Sequence, residues 1–326
     1  MRMRRVRAHH RRSSLLRVSC LSRAVAIRRG ASQRSLRRLR LSASQRWVVQ
    51  DEWFLSPPGS LPSTLTLHLL HLLDFVAVGH ALPNIPAAKL HTLHAPEAKG
   101  SVGKEPVACL GPGTGLGNVY ATWGEDSERT GVRKVLASEG SMSEFVPRTQ
   151  LEWDFLCWVR EREGNYVTVD RIVSGQGIAS WYQFLKAKNS LVSGLRETPC
   201  PSDPSVDAAI AASDQPAGVI AAHGTPGPGS DPICVQAIDN FLDTLGAEAG
   251  NLALRFLARG GVYIAGGGIA GKLLSRIKDG RVLKAYLERG EASEIVQHCP
   301  LFGSDEDDMG LKGALAAART LLVGRL

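Results

Sequence analysis

The chain has 326 residues, of which 44% are hydrophobic and 21% are charged. These proportions are those of an ordinary soluble globular protein. The net charge of +8 suggests a nucleic-acid partner, but residues 1–46 alone contain fifteen arginines and no acidic residue. Subtracting those fifteen charges leaves −7 for the remainder. The rest of the chain is therefore mildly acidic, and no specific nucleic-acid partner is expected.

The first 46 residues are rich in arginine and serine and poor in acid, which is typical of a mitochondrial or plastid transit peptide. A disordered basic tail that binds nucleic acid non-specifically, or an upstream stretch wrongly joined to the coding sequence, would look the same. Residues 47–64 are proline- and serine-rich and predict a linker. We expect residues 1–46 to be disordered or to serve in targeting.

The six cysteines form no Cys-x-x-Cys pair, so the sequence predicts neither a disulfide framework nor a zinc site and favours a reducing compartment. The most apolar window, residues 61–82, carries three histidines and an aspartate, which argues against a membrane span. Histidine pairs at helical spacing lack a third ligand, so no protein metal site is predicted. The expected location is the cytoplasm, with a mitochondrion or plastid as the alternative.

A strand at the start of the folded region is predicted to enter a helix through Asp74, whose charge is favourable at a helix N-terminus. Residues 109–120 follow, with the sequence CLGPGTGLGNVY between two β-branched and aromatic runs. This pattern predicts two strands joined by a glycine-rich hairpin. Its threonine and free N–H groups would form an anion-binding concavity, and a plain tight turn is the alternative. Neither a Walker A loop nor a dinucleotide fingerprint is present.

The remaining elements alternate between strands and helices. Leu151, Phe155, Trp158 and Val159 recur at the spacing of an amphipathic helix. The stretch YVTVDRIVSGQGIASWYQFLKA predicts a short strand, a glycine turn and a helix, and residues 194–231 predict a loop insertion with one short helix at 206–212. One long helix, then a strand with a second glycine cluster, then a C-terminal helix complete the pattern. This alternation indicates an α/β domain.

Five motifs stand in one order along the chain: LGPGTGLG, SEG followed by EF, DRIVSGQGI, GNLAL followed by GGVYIAGGGI, and DDMGLKGA. In this order and rough spacing the chain resembles the bacterial-type glucokinases, from about Asp74 to Leu322. The resemblance implies an actin-like, ribonuclease-H-like ATPase fold of the hexokinase type. Residues 65–326 would be its α/β large domain, with a mixed sheet and flanking helices.

The resemblance also implies an enzyme that phosphorylates glucose, or a related hexose, to the 6-phosphate with ATP and Mg²⁺. It implies no membrane partner and a possible homodimer. A non-catalytic sugar or nucleotide binder is the main alternative. A sugar-responsive repressor is disfavoured because no helix-turn-helix or zinc motif is visible. RNA binding through the leader is disfavoured because no aromatic residue interleaves its arginines.

Each site residue is assigned by its match to the family's motifs. Asp74 matches the family's catalytic base, the aspartate that accepts the proton of the sugar hydroxyl. Glu139 and Asp170 match two glutamates that hold sugar hydroxyls. Met142 stands where the family has a histidine, and a thioether cannot replace an imidazole as a hydrogen-bond donor. The glycine-rich positions match the nucleotide and sugar loops: Gly113 approaches the sugar, Thr114, Gly115 and Gly117 the phosphates, and Gly266, Gly267 and Gly268 the adenosine.

The family begins with a small domain whose first strand ends in the phosphate loop Asp-x-Gly-Gly-Thr-Asn. No such motif occurs between Met1 and Asp74. The sequence therefore predicts an incomplete small domain, and a truncated product, an imperfect gene model and a non-catalytic relative all fit this departure. We expect weak or no glucose phosphorylation from the chain as written, because phosphoryl transfer depends on positioning and electrostatic stabilisation.

Overall fold

The computed structural model describes residues 74–96, 103–191, 202–265 and 268–323. All of these residues lie in one compact unit, Leu69–Leu326. The predicted leader, the linker and the strand before Asp74 lie outside the described residues, as do Gly266 and Gly267.

The centre of the unit is a six-stranded sheet. Its strands are β1 (Leu90–His94), β2 (Val107–Pro112), β3 (Leu116–Thr122), β4 (Lys134–Ser138), β5 (Gly261–Ile264) and β6 (Leu301–Ser304). Their order across the sheet is β1-β6-β5-β2-β3-β4. Strand β5 runs parallel to β2 and to β6, whereas the other neighbours are antiparallel. The sheet is therefore mixed, as predicted.

Helices cover both faces of the sheet. In chain order they are α1 (Asp74–Ala81), α2 (Glu125–Thr130), α3 (Gln150–Glu163), α4 (Val169–Ile172), α5 (Gly175–Leu191), α6 (Pro204–Ala212), α7 (Pro216–His223), α8 (Pro232–Phe256), α9 (Gly268–Lys272), α10 (Leu274–Ile277), α11 (Arg281–Leu287), α12 (Ser293–Val296) and α13 (Met309–Val323). The predictions of α3, from apolar periodicity, and of the long helix α8 and the C-terminal helix α13 are confirmed. Across the described ranges, no helix is both long and apolar enough to span a bilayer.

Two hydrophobic clusters lie on opposite faces of the sheet because successive strand side chains point in opposite directions. Leu110 of β2 belongs to the larger cluster, which α3, α5 and α8 complete with Phe155, Trp181 and Phe241. Cys109, one residue earlier, belongs to the smaller cluster with residues of α1 and α13. The start of α1 therefore reaches the sheet from the face opposite α5 and α8.

The short helix predicted at 206–212 is confirmed as α6, but two other predictions were wrong. The predicted loop insertion 194–231 also contains a second helix, α7, and both α6 and α7 have a proline in the first turn. Proline is favourable there because its missing N–H would have no intrahelical partner. The Asp203 side chain also caps α6 by accepting from the N–H of Ser205 at 2.8 Å. The short strand predicted before DRIVSGQGI is only an isolated bridge between Glu144 and Thr168.

Candidate functional site

The glycine-rich hairpin predicted from the sequence is confirmed. Strands β2 and β3 pair antiparallel from Val107–Ala121 to Pro112–Leu116, so residues 113–115 form the tip. The Gly113 N–H donates to the Gly115 carbonyl at 2.7 Å, and the Gly113 carbonyl accepts from the Gly175 N–H at 2.9 Å. The tip is therefore closed internally and joined to the first residue of α5.

Two glycines just below the tip of the hairpin make room for the ring of Phe75. A β-carbon at Gly117 would overlap that ring, and one at Gly111 would lie 2.5 Å from its Cζ and overlap the carbonyl oxygen of Ala265. The ring of Phe75 thus fixes the first turn of α1 against the hairpin. Asp74 is the residue before it and begins the helix, as the sequence predicted.

Asp170 holds the hairpin from the other side. It lies in the first turn of α4, where the Thr168 hydroxyl caps the helix by accepting from the Arg171 N–H at 3.2 Å. The Asp170 Oδ1 accepts from the Leu116 N–H at 2.6 Å, and a β-carbon at Gly115 would lie 2.5 Å from that oxygen. One oxygen of this predicted sugar ligand therefore binds the main chain of the hairpin.

Glu139 lies immediately after β4, next to β3 in the sheet. It precedes a short 3₁₀ turn, Gly140–Met142, and its carbonyl accepts from the Met142 N–H at 3.0 Å. The Glu139 side chain is exposed, and Met142 is 50% exposed. The Tyr166 hydroxyl donates to the Met142 carbonyl at 2.9 Å. This turn packs on β3 and on α4, the helix that carries Asp170. The structure therefore brings Glu139 and Asp170 to the same end of the sheet.

The second glycine cluster follows β5, which is parallel to β2. The Ala265 N–H donates to the Leu110 carbonyl at 3.0 Å, which continues the pairing of the two strands to their ends. Gly268 begins α9, and a β-carbon there would meet no heavy atom within 4 Å. A β-carbon at Gly175 would lie 3.2 Å from both the Gly113 carbonyl oxygen and the Cδ1 of Ile269. The hairpin tip, α5 and α9 therefore meet beyond the carboxyl ends of β2 and β5, where open α/β sheets bind ligands.

The hairpin tip retains unused donors. The N–H groups of Thr114 and Gly115 have no hydrogen-bond partner within the described part of the chain, and the Thr114 side chain is exposed. A β-carbon at Gly113 would lie 3.8 Å from its nearest neighbour, the Gly115 carbonyl oxygen, which is ordinary contact. Free N–H groups in a tight turn form a concavity that suits an anion.

Sequence reasoning missed the roles of Phe75 and Gly175. Gly175 lies inside the motif DRIVSGQGI and Phe75 directly follows Asp74, but no local pattern shows that Phe75 meets Gly117 or that Gly175 meets Gly113. The described residues do not test the nucleotide contact predicted at Gly117, whose β-carbon space is occupied by Phe75. Gly266 and Gly267 lie outside the described residues.

Burial governs the titration of two groups near the hairpin. It lowers the pKa of His80 in α1, and it raises the pKa of the Cys109 thiol in β2. A buried thiol held in its protonated form is unreactive, so Cys109 is a packing residue. In the part of the chain that the structure describes, no three or more His, Cys, Asp and Glu side chains cluster as a metal site.

The family model for glucokinase matches residues 43–321. The chain belongs to the glucokinase family. A glucokinase of Nostoc sp. is 34% identical over 282 residues, which cover 82% of this chain and 76% of that protein. The family match begins ahead of Asp74, where the motifs alone placed the start of the resemblance.

Solved glucokinases share the fold. A glucokinase from an Antarctic psychrotroph has a TM-score of 0.56 at 25% identity, covering 76% of this chain and 67% of that one. A Balamuthia mandrillaris glucokinase, solved in complex with glucose, has a TM-score of 0.62 at 18% identity, covering 76% and 65%. The predicted actin-like sugar-kinase fold is confirmed.

Proposed function

We propose that the chain transfers the γ-phosphoryl group of ATP to the 6-hydroxyl group of glucose or a closely related hexose. The observation that carries the proposal is the convergence of three elements at one edge of the sheet. These are the start of α1 with Asp74, the hairpin tip, and the turn that follows Glu139. Family membership supports the reaction class, and this edge offers a separate element for each part of the reaction.

The hairpin tip binds phosphate oxygens through the N–H groups of Thr114 and Gly115 and the Thr114 hydroxyl. Three of the four hairpin glycines are explained by protein atoms, because side chains of Phe75 and Asp170 occupy the space of their β-carbons. Gly113 has no such neighbour. A glycine in open space suits a site where a ligand approaches the main chain, and this favours ligand contact at Gly113. The adenosine lies toward Gly266–Gly268.

Asp74 accepts the proton of the sugar hydroxyl while the hydroxyl oxygen attacks the γ-phosphorus of ATP. The bond between the γ-phosphorus and the bridging oxygen then breaks, and ADP is released. Glu139 accepts hydrogen bonds from sugar hydroxyls, as does the Asp170 oxygen that Leu116 leaves unused. Mg²⁺ accompanies ATP and neutralises phosphate charge. It is commonly held by phosphate oxygens, waters and one or two carboxylates, so a cluster of protein ligands is not required.

A coupled assay for glucose 6-phosphate on the full chain tests the proposal. Asp74→Asn should lower kcat by about a hundredfold or more, the range for losing a general base, while glucose still binds. Glu125→Gln, which changes a first-turn carboxylate of α2, is the matched control and should leave turnover unchanged. Turnover by Asp74→Asn at the rate of the unsubstituted chain would contradict the assignment of the base.

Non-catalytic sugar binding is the second candidate. Met142 in place of the family's histidine favours it, because a thioether cannot donate a hydrogen bond as an imidazole can. Calorimetry with glucose and with ADP separates the two candidates. Binding of both ligands without turnover would support the non-catalytic relative over the kinase.

Two further parts of the proposal concern the oligomeric state and the subcellular location. The chain forms a homodimer through its large domain and acts in the cytoplasm. Sedimentation of the full chain at several concentrations tests the first. A reporter fused to residues 1–46 tests the second, because import into a mitochondrion or plastid would identify the arginine-rich leader as a transit peptide.

A further inference from the structure

Asn118 lies in the middle of β3, where an asparagine is unusual. It pairs with Leu110 on one side and with Ser138 on the other, and it is only 2% exposed. Alternation along β3 places its side chain on the same face as Leu116 and Tyr120, which pack in the larger hydrophobic cluster. Asparagine is depleted in strands, so packing of the sheet does not explain an amide at this position.

The amide of Asn118 lies directly beneath the turn that follows Glu139. A β-carbon at Gly140 would lie 3.4 Å from its Nδ2 and 3.1 Å from the Ser138 Oγ. The Ser138 hydroxyl already accepts from the Gly140 N–H at 3.1 Å. Gly140 therefore lets the turn approach the sheet closely enough for an Asn118 hydrogen bond after a small shift.

Both polar atoms of the Asn118 amide are buried and have no hydrogen-bond partner among the described residues. A buried polar group is nearly always paired in a folded protein, so an unpaired one calls for a partner in some other state. Neither atom is accessible, so the amide cannot contact a sugar itself. It can act only through the elements that cover it.

We infer that Asn118 is a positioning residue for Glu139. Its amide forms a hydrogen bond with the main chain of the Glu139–Met142 turn when a hexose hydroxyl binds the Glu139 carboxylate, and this bond holds the turn in its sugar-bound position. The inference rests on the proposed function, because it takes Glu139 to be a hexose ligand. It makes Asn118 specific to the sugar side of the site, with no part in nucleotide binding.

The experiment uses the full chain with Asn118→Leu, and Tyr120→Phe as the matched control two residues along the same face. Glucose and ADP dissociation constants are measured by calorimetry, with thermal unfolding of each ligand-free variant. Asn118→Leu should weaken glucose binding about tenfold and change ADP binding less than about twofold. The Tm should stay the same or rise, because the substitution replaces a buried unpaired amide with an apolar side chain among apolar neighbours. Tyr120→Phe should change none of the three.

Hydrogen exchange of residues 139–143 gives a second readout, since glucose should slow it in the unsubstituted chain and not in Asn118→Leu. Asn118→Val, with a β-branched side chain, replaces the leucine variant if that variant fails to fold. Unchanged glucose affinity, or a parallel loss of Tm and of both affinities, would overturn the inference alone. If the unsubstituted chain itself does not bind glucose, the proposed function fails and this inference fails with it.

Discussion

The hairpin tip and the turn after Glu139 lie at the same edge of the sheet but are held very differently. The tip is held by the Asp170 carboxylate and the Gly175 main chain, and the ring of Phe75 packs against Gly111 and Gly117 just below it. The turn follows an edge strand, exposes Met142, and covers the unpaired amide of Asn118. The hairpin tip, which we propose to bind phosphate, is thus packed on protein atoms, whereas the turn after Glu139, which we propose to serve the sugar, covers an unpaired amide.

Gly117→Ala should have the largest effect, because the new methyl group would overlap the ring of Phe75. Overpacking of this kind destabilises by about 1–3 kcal/mol, measured by urea unfolding. The double variant with Phe75→Leu should recover part of that loss, since the two positions are in contact. A Gly117→Ala protein with unchanged stability would show that the hairpin is not held rigidly by α1.

Gly113→Ala should separate ligand binding from folding. The added methyl group meets no protein atom closer than 3.8 Å, so the free energy of unfolding should change by less than about 0.5 kcal/mol. Glucose binding should weaken by about tenfold because the sugar can no longer approach the main chain. Unchanged glucose affinity in calorimetry would remove Gly113 from the sugar site.

Asp170→Asn should loosen the tip without sugar present. A neutral amide oxygen accepts from the Leu116 N–H less strongly than a carboxylate, so the unfolding free energy should fall by about 1 kcal/mol. The measurement is made without ligand so that a role in sugar binding does not contribute. Asp214→Asn, at an exposed site, is the control. Equal stability of the two variants would contradict the clamp.

Met142→His tests the turn that follows Glu139. The histidine restores the donor that the family resemblance implies, and one hydrogen bond contributes about 1 kcal/mol, which is roughly a fivefold lower glucose Kd. Stability should not change, because the side chain is half exposed. Val146→His, at a neighbouring exposed position, should leave glucose affinity as it is. An equal gain from both variants would rule out a specific donor.

His80 should add a small pH dependence to the stability of the folded unit. Burial holds its pKa in the folded state below the unfolded value, so the unfolded chain binds the proton more readily. The stability is fully present above about pH 6.5 and falls as the pH drops through the lower folded pKa. His80→Gln should lessen the fall in Tm between pH 7.5 and 5.5. An identical fall in both proteins would contradict this contribution.

The sequence by itself determined the elements whose signals are local. Glycines and a threonine between β-branched runs predicted the hairpin, and apolar residues at helical spacing predicted α3. The order of five motifs predicted the family and the fold, because family motifs keep their order along the chain. Helix α7 was missed because its proline was interpreted as a loop residue, although proline is favourable in a first helical turn.

Only the tertiary structure showed which distant contacts require these residue types at the site. Gly117 must lack a side chain because Phe75, more than forty positions earlier, fills the space, and Asp170 binds a hairpin more than fifty positions earlier. The unpaired amide of Asn118 is likewise visible only once β4 and its turn cover it. Such contacts depend on how distant segments pack, and a local pattern of residue types carries no information about that packing.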